Sequence, residues 1–268
     1  MGRVLALSSQ VARGHVGLAA TVPALAALGQ EVWALPTVIL ASRPGLGRLA
    51  KYPLPAADLD ALLAALEADG CWGELDAVFT GYFPSPATVT AAAQAIARLK
   101  RANPGAIICV DPILGDADRL YVAADTAAAI RDELLGLATL ATPNLFELAW
   151  LTGAGQLHAR DVEEQEVVQA ARRLGVPTVA VTSARETPEE IATALLCPAG
   201  VFWRTRPKYR GIPNGAGDLF AGLLLGHLLR GQATPAAFAA SLADLDVVLA
   251  ASTGRSSLVL TALKPPPS

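Results

Sequence analysis

Asn214-Gly215-Ala216-Gly217-Asp218-Leu219-Phe220-Ala221-Gly222-Leu223-Leu224-Leu225-Gly226 sets two glycines around one small residue, then an aspartate, and opens at once into an apolar helix. A helix N-terminus carries unpaired backbone N–H groups and about half a positive charge, which makes it a seat for an anion. Gly215 and Gly217 let backbone approach a ligand with no side chain in the way. Asp218 adds a carboxylate able to take a proton from an attacking hydroxyl. Together these suit phosphoryl transfer to an alcohol. The same letters also serve as plain loop punctuation before a helix, so the rest of the chain has to decide.

Upstream, short apolar runs alternate with helical stretches, the pattern of a mostly parallel sheet with helices on both faces. Val4 to Leu7 reads as a first strand followed by a Ser/Gly-containing loop. A helix is expected from Gly17 to Leu28, stopped by Gly29, and a strand from Glu31 to Leu35. Ser42 to Pro55 reads as an irregular loop, Asp58 to Ala68 as a helix and Ala77 to Thr80 as a strand. Pro86 to Ala102 continues the series as a helix, and the continuously apolar Ala106 to Val110 as a strand buried on both faces. A polar loop from Gly115 to Tyr121, a helix from Asp125 to Leu135 and a strand from Leu137 to Ala141 follow. After a short helix ending at Leu151, Asp161 is expected to cap a helix running to Leu174, with Glu164 completing a capping box. Thr178 to Val181 is a strand, and Ile191 to Leu196 and Val201 to Thr205 form an antiparallel edge. Gly217 to Leu229 and Pro235 to Ala251, capped by Thr234, are the last helices. No internal repeat or long linker divides the 268 residues, so one domain over 1–268 is expected.

Composition narrows the class. With 53% hydrophobic and 17% charged residues the chain has ample core and is too apolar for disorder. Mean hydropathy of +0.41 comes with interrupted apolar runs; the longest candidate, Leu219 to Leu229, is far short of the roughly 20 residues of a spanning helix. No membrane association is expected. A net charge of −3 excludes a basic nucleic-acid footprint. Cys71, Cys109 and Cys197 are odd in number and far apart, which suits a reducing cytoplasm, and the opening residues lack an export signal. His15, His158 and His227 are too scattered for a metal centre.

In open parallel sheets ligands bind beyond the carboxyl ends of the strands. The few polar residues gather there: Ser8-Ser9, Gly81-Tyr82, Asp111, Thr142 with Asn144 and Glu147, Thr182-Ser183, and Asp218. Each has an ordinary structural reading as well, Asp111 as a strand stop and Asn144 as a helix cap among them. Neither the G-x-x-x-x-G-K-[ST] loop nor an early G-x-G-x-x-G is present, so a phosphate site has to come from the late glycine turn.

Five segments in order then resemble the pyridoxal kinases of the ribokinase-like superfamily. They are Ser8-Ser9-Gln10-Val11-Ala12-Arg13-Gly14-His15-Val16-Gly17, Thr80-Gly81-Tyr82, Val110-Asp111-Pro112-Ile113-Leu114-Gly115-Asp116, Ala141-Thr142-Pro143-Asn144-Leu145-Phe146-Glu147-Leu148, and Gly215-Ala216-Gly217-Asp218-Leu219-Phe220-Ala221-Gly222. The resemblance covers nearly the whole chain and implies a three-layer α/β fold. It implies transfer of the γ-phosphoryl group of ATP, with a divalent cation, to the primary alcohol of pyridoxal. Asp218 is then the base, and the N–H groups of Gly215, Ala216 and Gly217 the anion hole. Asn144 and Glu147 organise magnesium, through water; Asp111, Asp116, Tyr121, Thr142, Thr182 and Ser183 line the ATP side. Ser9, Val16, Tyr82 and the position of Pro44 meet the pyridine ring. A homodimer is also implied, and a need for a monovalent cation such as K+ is left open. The chain departs from the family's S-N-H-T/x-G segment with Ala41-Ser42-Arg43-Pro44-Gly45. Pro44 offers neither hydroxyl nor N–H, and Arg43 is expected either to reach an anionic or carbonyl substituent or, as the preferred reading, to lie in solvent. Hydroxymethylpyrimidine or another small alcohol is therefore an alternative acceptor. A non-catalytic carrier of a B6 vitamer or nucleotide is the alternative from a different class.

Overall fold

A computed structural model describes residues 1–46, 48, 50–116, 119–155 and 157–263. The apolar runs become strands because alternate residues find a hydrophobic layer on each side. The elements in order are β1 (Arg3–Val11), α1 (Leu18–Ala27), β2 (Glu31–Leu40), β3 (Lys51–Pro53), α2 (Ala56–Ala68), β4 (Ala77–Thr80) and α3 (Pro86–Ala102). Then come β5 (Ile107–Val110), β6 (Gly115–Asp116), β7 (Arg119–Leu120), α4 (Ala124–Ala129), β8 (Leu140–Ala141), α5 (Leu145–Thr152) and α6 (Glu164–Arg173). The chain continues with β9 (Thr178–Glu186), β10 (Glu190–Cys197), β11 (Gly200–Pro207), α7 (Ala216–Leu229) and α8 (Thr234–Ser252).

One sheet has the order β11-β10-β9-β8-β5-β4-β1-β2-β3, and β6 and β7 form a separate hairpin. The six strands from β2 to β9 in that order are parallel, so their carboxyl ends share one rim; β3 and β10 run against them at the two edges, and β11 pairs antiparallel with β10. Along β1, Leu5 and Leu7 join one core cluster with Leu59 and Leu63 of α2, Ile96 of α3 and Val167 of α6. Val4 and Ala6 join the other, with Leu25 of α1, Leu224 of α7 and Phe238 of α8. Three layers result, as expected.

α7 is buried without a break from Leu219 to His227, sandwiched between α1 and α8. Phe220 meets Phe238 edge to face at 6.4 Å, and His227 Nε2 lies 2.8 Å from Asp244 Oδ2 on α8. At Gly222 a Cβ would stand 3.1 Å from the Ala24 Cβ, so α1 and α7 lie close.

Several boundaries differ from expectation. β1 runs through Ser8 and Ser9 rather than ending before them, with a register shift between the two against β2, which itself extends to Leu40. The stretch after Ser42 contains β3, and within the expected loop from Gly115 to Tyr121 residues 115–116 pair with 119–120 as β6 and β7. α6 starts at Glu164 and not at Asp161: Glu163 is the N-cap, and its N–H is held by Glu166 Oε2 at 2.9 Å, so this later reciprocal pair wins. Thr234 lies inside α8 behind Ala233 and makes no capping bond. Beyond Ala129 the expected helix relaxes into a π turn, Ile130–Leu134. Among the described residues α8, not Leu219 to Leu229, is the helix long and apolar enough to span a bilayer, although Phe238, Leu242, Leu245 and Val248 are buried against the core.

Candidate active site

The rim begins at the end of β5. The Asp111 N–H donates to the Thr80 carbonyl at 2.8 Å, which holds the aspartate in line beyond the sheet. Its Oδ1 accepts the Thr142 hydroxyl at 2.9 Å, from the residue that follows β8. Both side chains are buried. Two residues on, Asn144 caps α5: its side chain accepts from the Glu147 N–H at 2.9 Å, and Glu147 Oε2 accepts from the Asn144 N–H at 2.9 Å. The other Glu147 oxygen accepts from Leu114 N–H at 2.9 Å and Gly115 N–H at 3.4 Å, while Asn144 Nδ2 donates to Gly115 O at 2.8 Å. The pair thus caps one helix and pins the root of the β6–β7 hairpin. Asp116 and Tyr121 are on that hairpin, both exposed, and the Tyr121 N–H is tied to Leu114 O at 2.7 Å.

At the next strand, Thr182 N–H donates to Pro143 O at 2.9 Å, and β9 bulges against β10 between Val181 and Arg185. Ser183 in that bulge has φ of +49°, the one non-glycine residue in the left-handed region among the described residues. Such a conformation costs of the order of 1 kcal/mol and persists where the surroundings demand it.

α7 closes the rim. Gly215, its N-cap, has φ of +113°, and a Cβ there would run into the His15 carbonyl, so only glycine fits. At Gly217 the opposite holds: a Cβ meets nothing within 4 Å. Open space therefore lies beside the first turn at Gly217. Asp218 sits in that turn, with Thr21 Oγ1 of α1 donating to its carbonyl at 3.2 Å. Its Oδ1 is enclosed yet has no protein hydrogen-bond partner.

Burial governs the three carboxyl groups. Asp218 is pushed up to about 6 by burial, against the opposing backbone N–H groups of Gly17 and of Asp218 itself. Asp111 is pushed up to about 8, by burial first and then by the charge of Asp218, with the Thr142 bond opposing. Glu147 is held well above its usual range by burial and then Asp111, despite its three backbone donors. Of the two aspartates, Asp218 loses its proton before Asp111 as pH rises. The Tyr121 phenol is raised by partial burial, then by Asp116 and Glu147.

On the other side of Asp218, Val16 and Tyr82 pack into one small apolar cluster with Val11, Val38 and Leu40. Tyr82 is fixed through its backbone: its N–H donates to Ser8 Oγ at 3.0 Å, and its carbonyl accepts from Thr37 Oγ1 at 2.6 Å. Ser9 is buried, its carbonyl filling the space a Gly17 Cβ would need. Pro44 is exposed, and its carbonyl accepts from Arg43 Nη1 at 3.1 Å. Arg43 is half-buried rather than free in solvent: Nη2 donates to Ser256 O at 3.0 Å at an exposed edge. Its Nε, His15 Nδ1, Thr80 Oγ1 and Asp218 Oδ1 are four enclosed polar atoms lacking protein partners in the segments around this rim. Native structures leave few such atoms unpartnered. Gly14, Gly17 and Thr80 stood in the resembling segments without a role of their own, while Thr21 and Ser256 carried no local signal in the sequence.

The sequence model of the phosphomethylpyrimidine kinase family matches residues 13–253. Over 232 residues the chain is 34% identical to the pyridoxal kinase PdxY of Corynebacterium diphtheriae, covering 85% of this chain and 81% of that one. It is 36% identical over 251 residues to the pyridoxine/pyridoxal/pyridoxamine kinase of Bordetella bronchiseptica, covering 91% and 87%. Among solved structures, the pyridoxal kinase of Leishmania donovani in complex with ADP and pyridoxamine superposes with a TM-score of 0.87 at 26% identity, over 97% of this chain and 94% of that one.

Proposed function

We infer that this chain, which belongs to the phosphomethylpyrimidine kinase family within the ribokinase-like fold, is an ATP-dependent pyridoxal kinase. It moves the γ-phosphoryl group of ATP to the primary alcohol of pyridoxal, giving pyridoxal 5′-phosphate and ADP. The observation that carries the chemistry is Asp218: a buried carboxyl with a partnerless, enclosed oxygen, on the first turn of a helix with open space beside Gly217.

Asp218 Oδ1 accepts the hydroxyl proton as the alcohol oxygen attacks. A carboxylate near 6 suits that work, being charged at neutral pH and more basic than an ordinary aspartate. The N–H groups of Gly215, Ala216 and Gly217 receive the transferred phosphoryl oxygens, and being fixed in advance they need no reorganisation. Burial and the charge of Asp218 push Asp111 upward, which lessens the charge it sets beside the phosphates near neutral pH. With Thr142, Asn144, Glu147, Thr182, Ser183, and Asp116 and Tyr121 on the hairpin, it lines the ATP side. Ser9, Val16 and Tyr82 line the acceptor side, where the two apolar side chains suit the flat pyridine ring; Pro44 belongs to its outer edge.

Magnesium, when bound, neutralises the phosphate charge. The donor set fits an ion held largely by water and phosphate: among the described residues no three His, Cys, Asp or Glu are grouped to ligate a metal. Asn144 spends its side chain on Glu147 and Gly115, and both Glu147 oxygens already accept N–H bonds. Contact through water is what the pair has left to offer. We also propose one kinase domain over 1–268, a cytoplasmic homodimer, and no membrane role for α8, whose buried face supports core packing; light scattering of the purified chain tests the dimer.

Coupled ADP release with Mg-ATP and pyridoxal, pyridoxine, pyridoxamine or hydroxymethylpyrimidine tests the function. Saturable turnover with pyridoxal is expected. Turnover with the pyrimidine alone moves the acceptor to the alternative that the family's description favours. Binding of a vitamer without turnover of any alcohol makes the chain a carrier.

A further inference from the structure

We propose that Arg43 is a positioning residue of the acceptor pocket, a strap that clamps residues 41–46 onto two loops that both end at the N-cap of α7. The proposal rests on the acceptor pocket assigned above. The two loops are Arg13-Gly14-His15 and Ser256–Leu258. To the first, Arg43 is joined by its backbone N–H, which donates to Arg13 O at 3.0 Å. Its stem also lies on Gly14, where a Cβ would stand 2.9 Å from Arg43 Cγ and φ is +99°. To the second it is joined by the guanidinium, with Nη2 on Ser256 O at 3.0 Å across 213 residues of chain.

Both loops converge on one point. A Cβ on Gly215 would strike the His15 carbonyl, one residue beyond Gly14, and would stand 3.2 Å from Leu258 Cδ1, two residues beyond Ser256. Arg43 therefore grips, within two residues on each side, the segments that back the N-cap of the helix carrying Asp218. The first loop continues into Val16, which packs, as Tyr82 does, against the Val11, Val38 and Leu40 cluster. A shift of that loop moves the pocket wall relative to the phosphoryl cradle, and misplacement by about 1 Å is enough to weaken a reaction that depends on alignment. The side chain is not placed for its own comfort. Its Nε is enclosed without a protein acceptor, an unfavourable arrangement that local stability alone would not select. Arginine suits the task because a planar fork holds several acceptors at once, whereas lysine offers one compact ammonium.

The test compares the wild type with Arg43→Ala and Arg43→Lys, reading kcat and KM for pyridoxal and for ATP, and amide hydrogen exchange in the free proteins. Loss of one charge-assisted bond predicts that Arg43→Ala raises KM for pyridoxal about tenfold. KM for ATP moves less than about twofold, and Arg43→Lys recovers most of the loss. Exchange rises together in residues 12–16 and 254–258, outside the substituted segment. An unchanged pyridoxal KM, an equal rise in both KM values, or faster exchange confined to residues 41–46 overturns the strap. If the wild type turns over no vitamer, the kinase reading fails, while the exchange experiment still decides whether Arg43 joins the two loops.

Discussion

Replacing Gly217 by alanine separates what the fold asks of this residue from what the reaction asks. Gly217 is the second residue of α7, its φ lies outside the left-handed region, and a Cβ built there meets no atom within 4 Å. Stability alone thus favours alanine, by roughly 0.4–1 kcal/mol at a compatible helical position. In a chain of this length that raises Tm by about 2 °C. Activity is expected to move the other way. The methyl group enters the space in front of the first-turn N–H groups and keeps a phosphoryl oxygen beyond the roughly 2.7–3.1 Å at which such donors act. Losing one preorganised donor costs about 10²-fold in kcat. Gly215→Ala is the contrasting case: φ of +113° and the His15 carbonyl make it a folding defect, costing about 1–3 kcal/mol from the backbone alone. Thermal unfolding and coupled ADP release on both variants make the comparison. A Gly217→Ala protein that is more stable and keeps wild-type kcat and ATP KM would refute an anion seat on this turn.

Two further outcomes follow from the carboxyl groups. With Asp218 near 6, turnover falls about tenfold between pH 7 and pH 5 as the base is protonated; Asp218→Asn abolishes turnover yet keeps the thermal shift given by Mg-ATP, and a flat profile over that range removes Asp218 as the base. Asp111 lies near 8 when folded against 3.8 ordinarily, so between those values the folded state keeps a proton the unfolded chain has released, and stability falls as pH rises through the window. Asparagine cannot ionise and still accepts the Thr142 hydroxyl; the Tm advantage of Asp111→Asn over wild type grows from pH 4 to pH 8 and then levels off, whereas an equal gap at pH 5 and pH 8.5 contradicts the buried, raised carboxyl.

The βα alternation could be read because each element announces itself within a few residues. The run at Ala77–Thr80 and the Ser85-capped helix Pro86–Ala102 came out at their expected bounds, and Asn144 with Glu147, spaced for one helical turn, is a reciprocal cap. Misreadings arose where two local answers competed. Asp161 and Glu163 both suit a cap, and the bond from Glu163 N–H to Glu166 settles the choice. Ser8 and Ser9 look like a loop by polarity but lie in β1, because a parallel neighbour, β2, takes up their backbone groups. Arg43 had no readable destination, since its acceptor lies 213 residues away.

What the sequence determined by itself is what short-range physics controls: period-two and period-3.6 burial, glycine where a turn or a close approach needs it, and polar residues at the carboxyl ends of apolar runs. That is sufficient for a parallel α/β sheet with Asp218 at a helix N-terminus. Only the tertiary structure decided which carboxyl holds a proton, because that depends on water being excluded where β5 meets β8 and α1 lies against α7. Charge–charge distance and desolvation come into being with packing, so no spacing along the chain encodes the value near 6 at Asp218 or near 8 at Asp111.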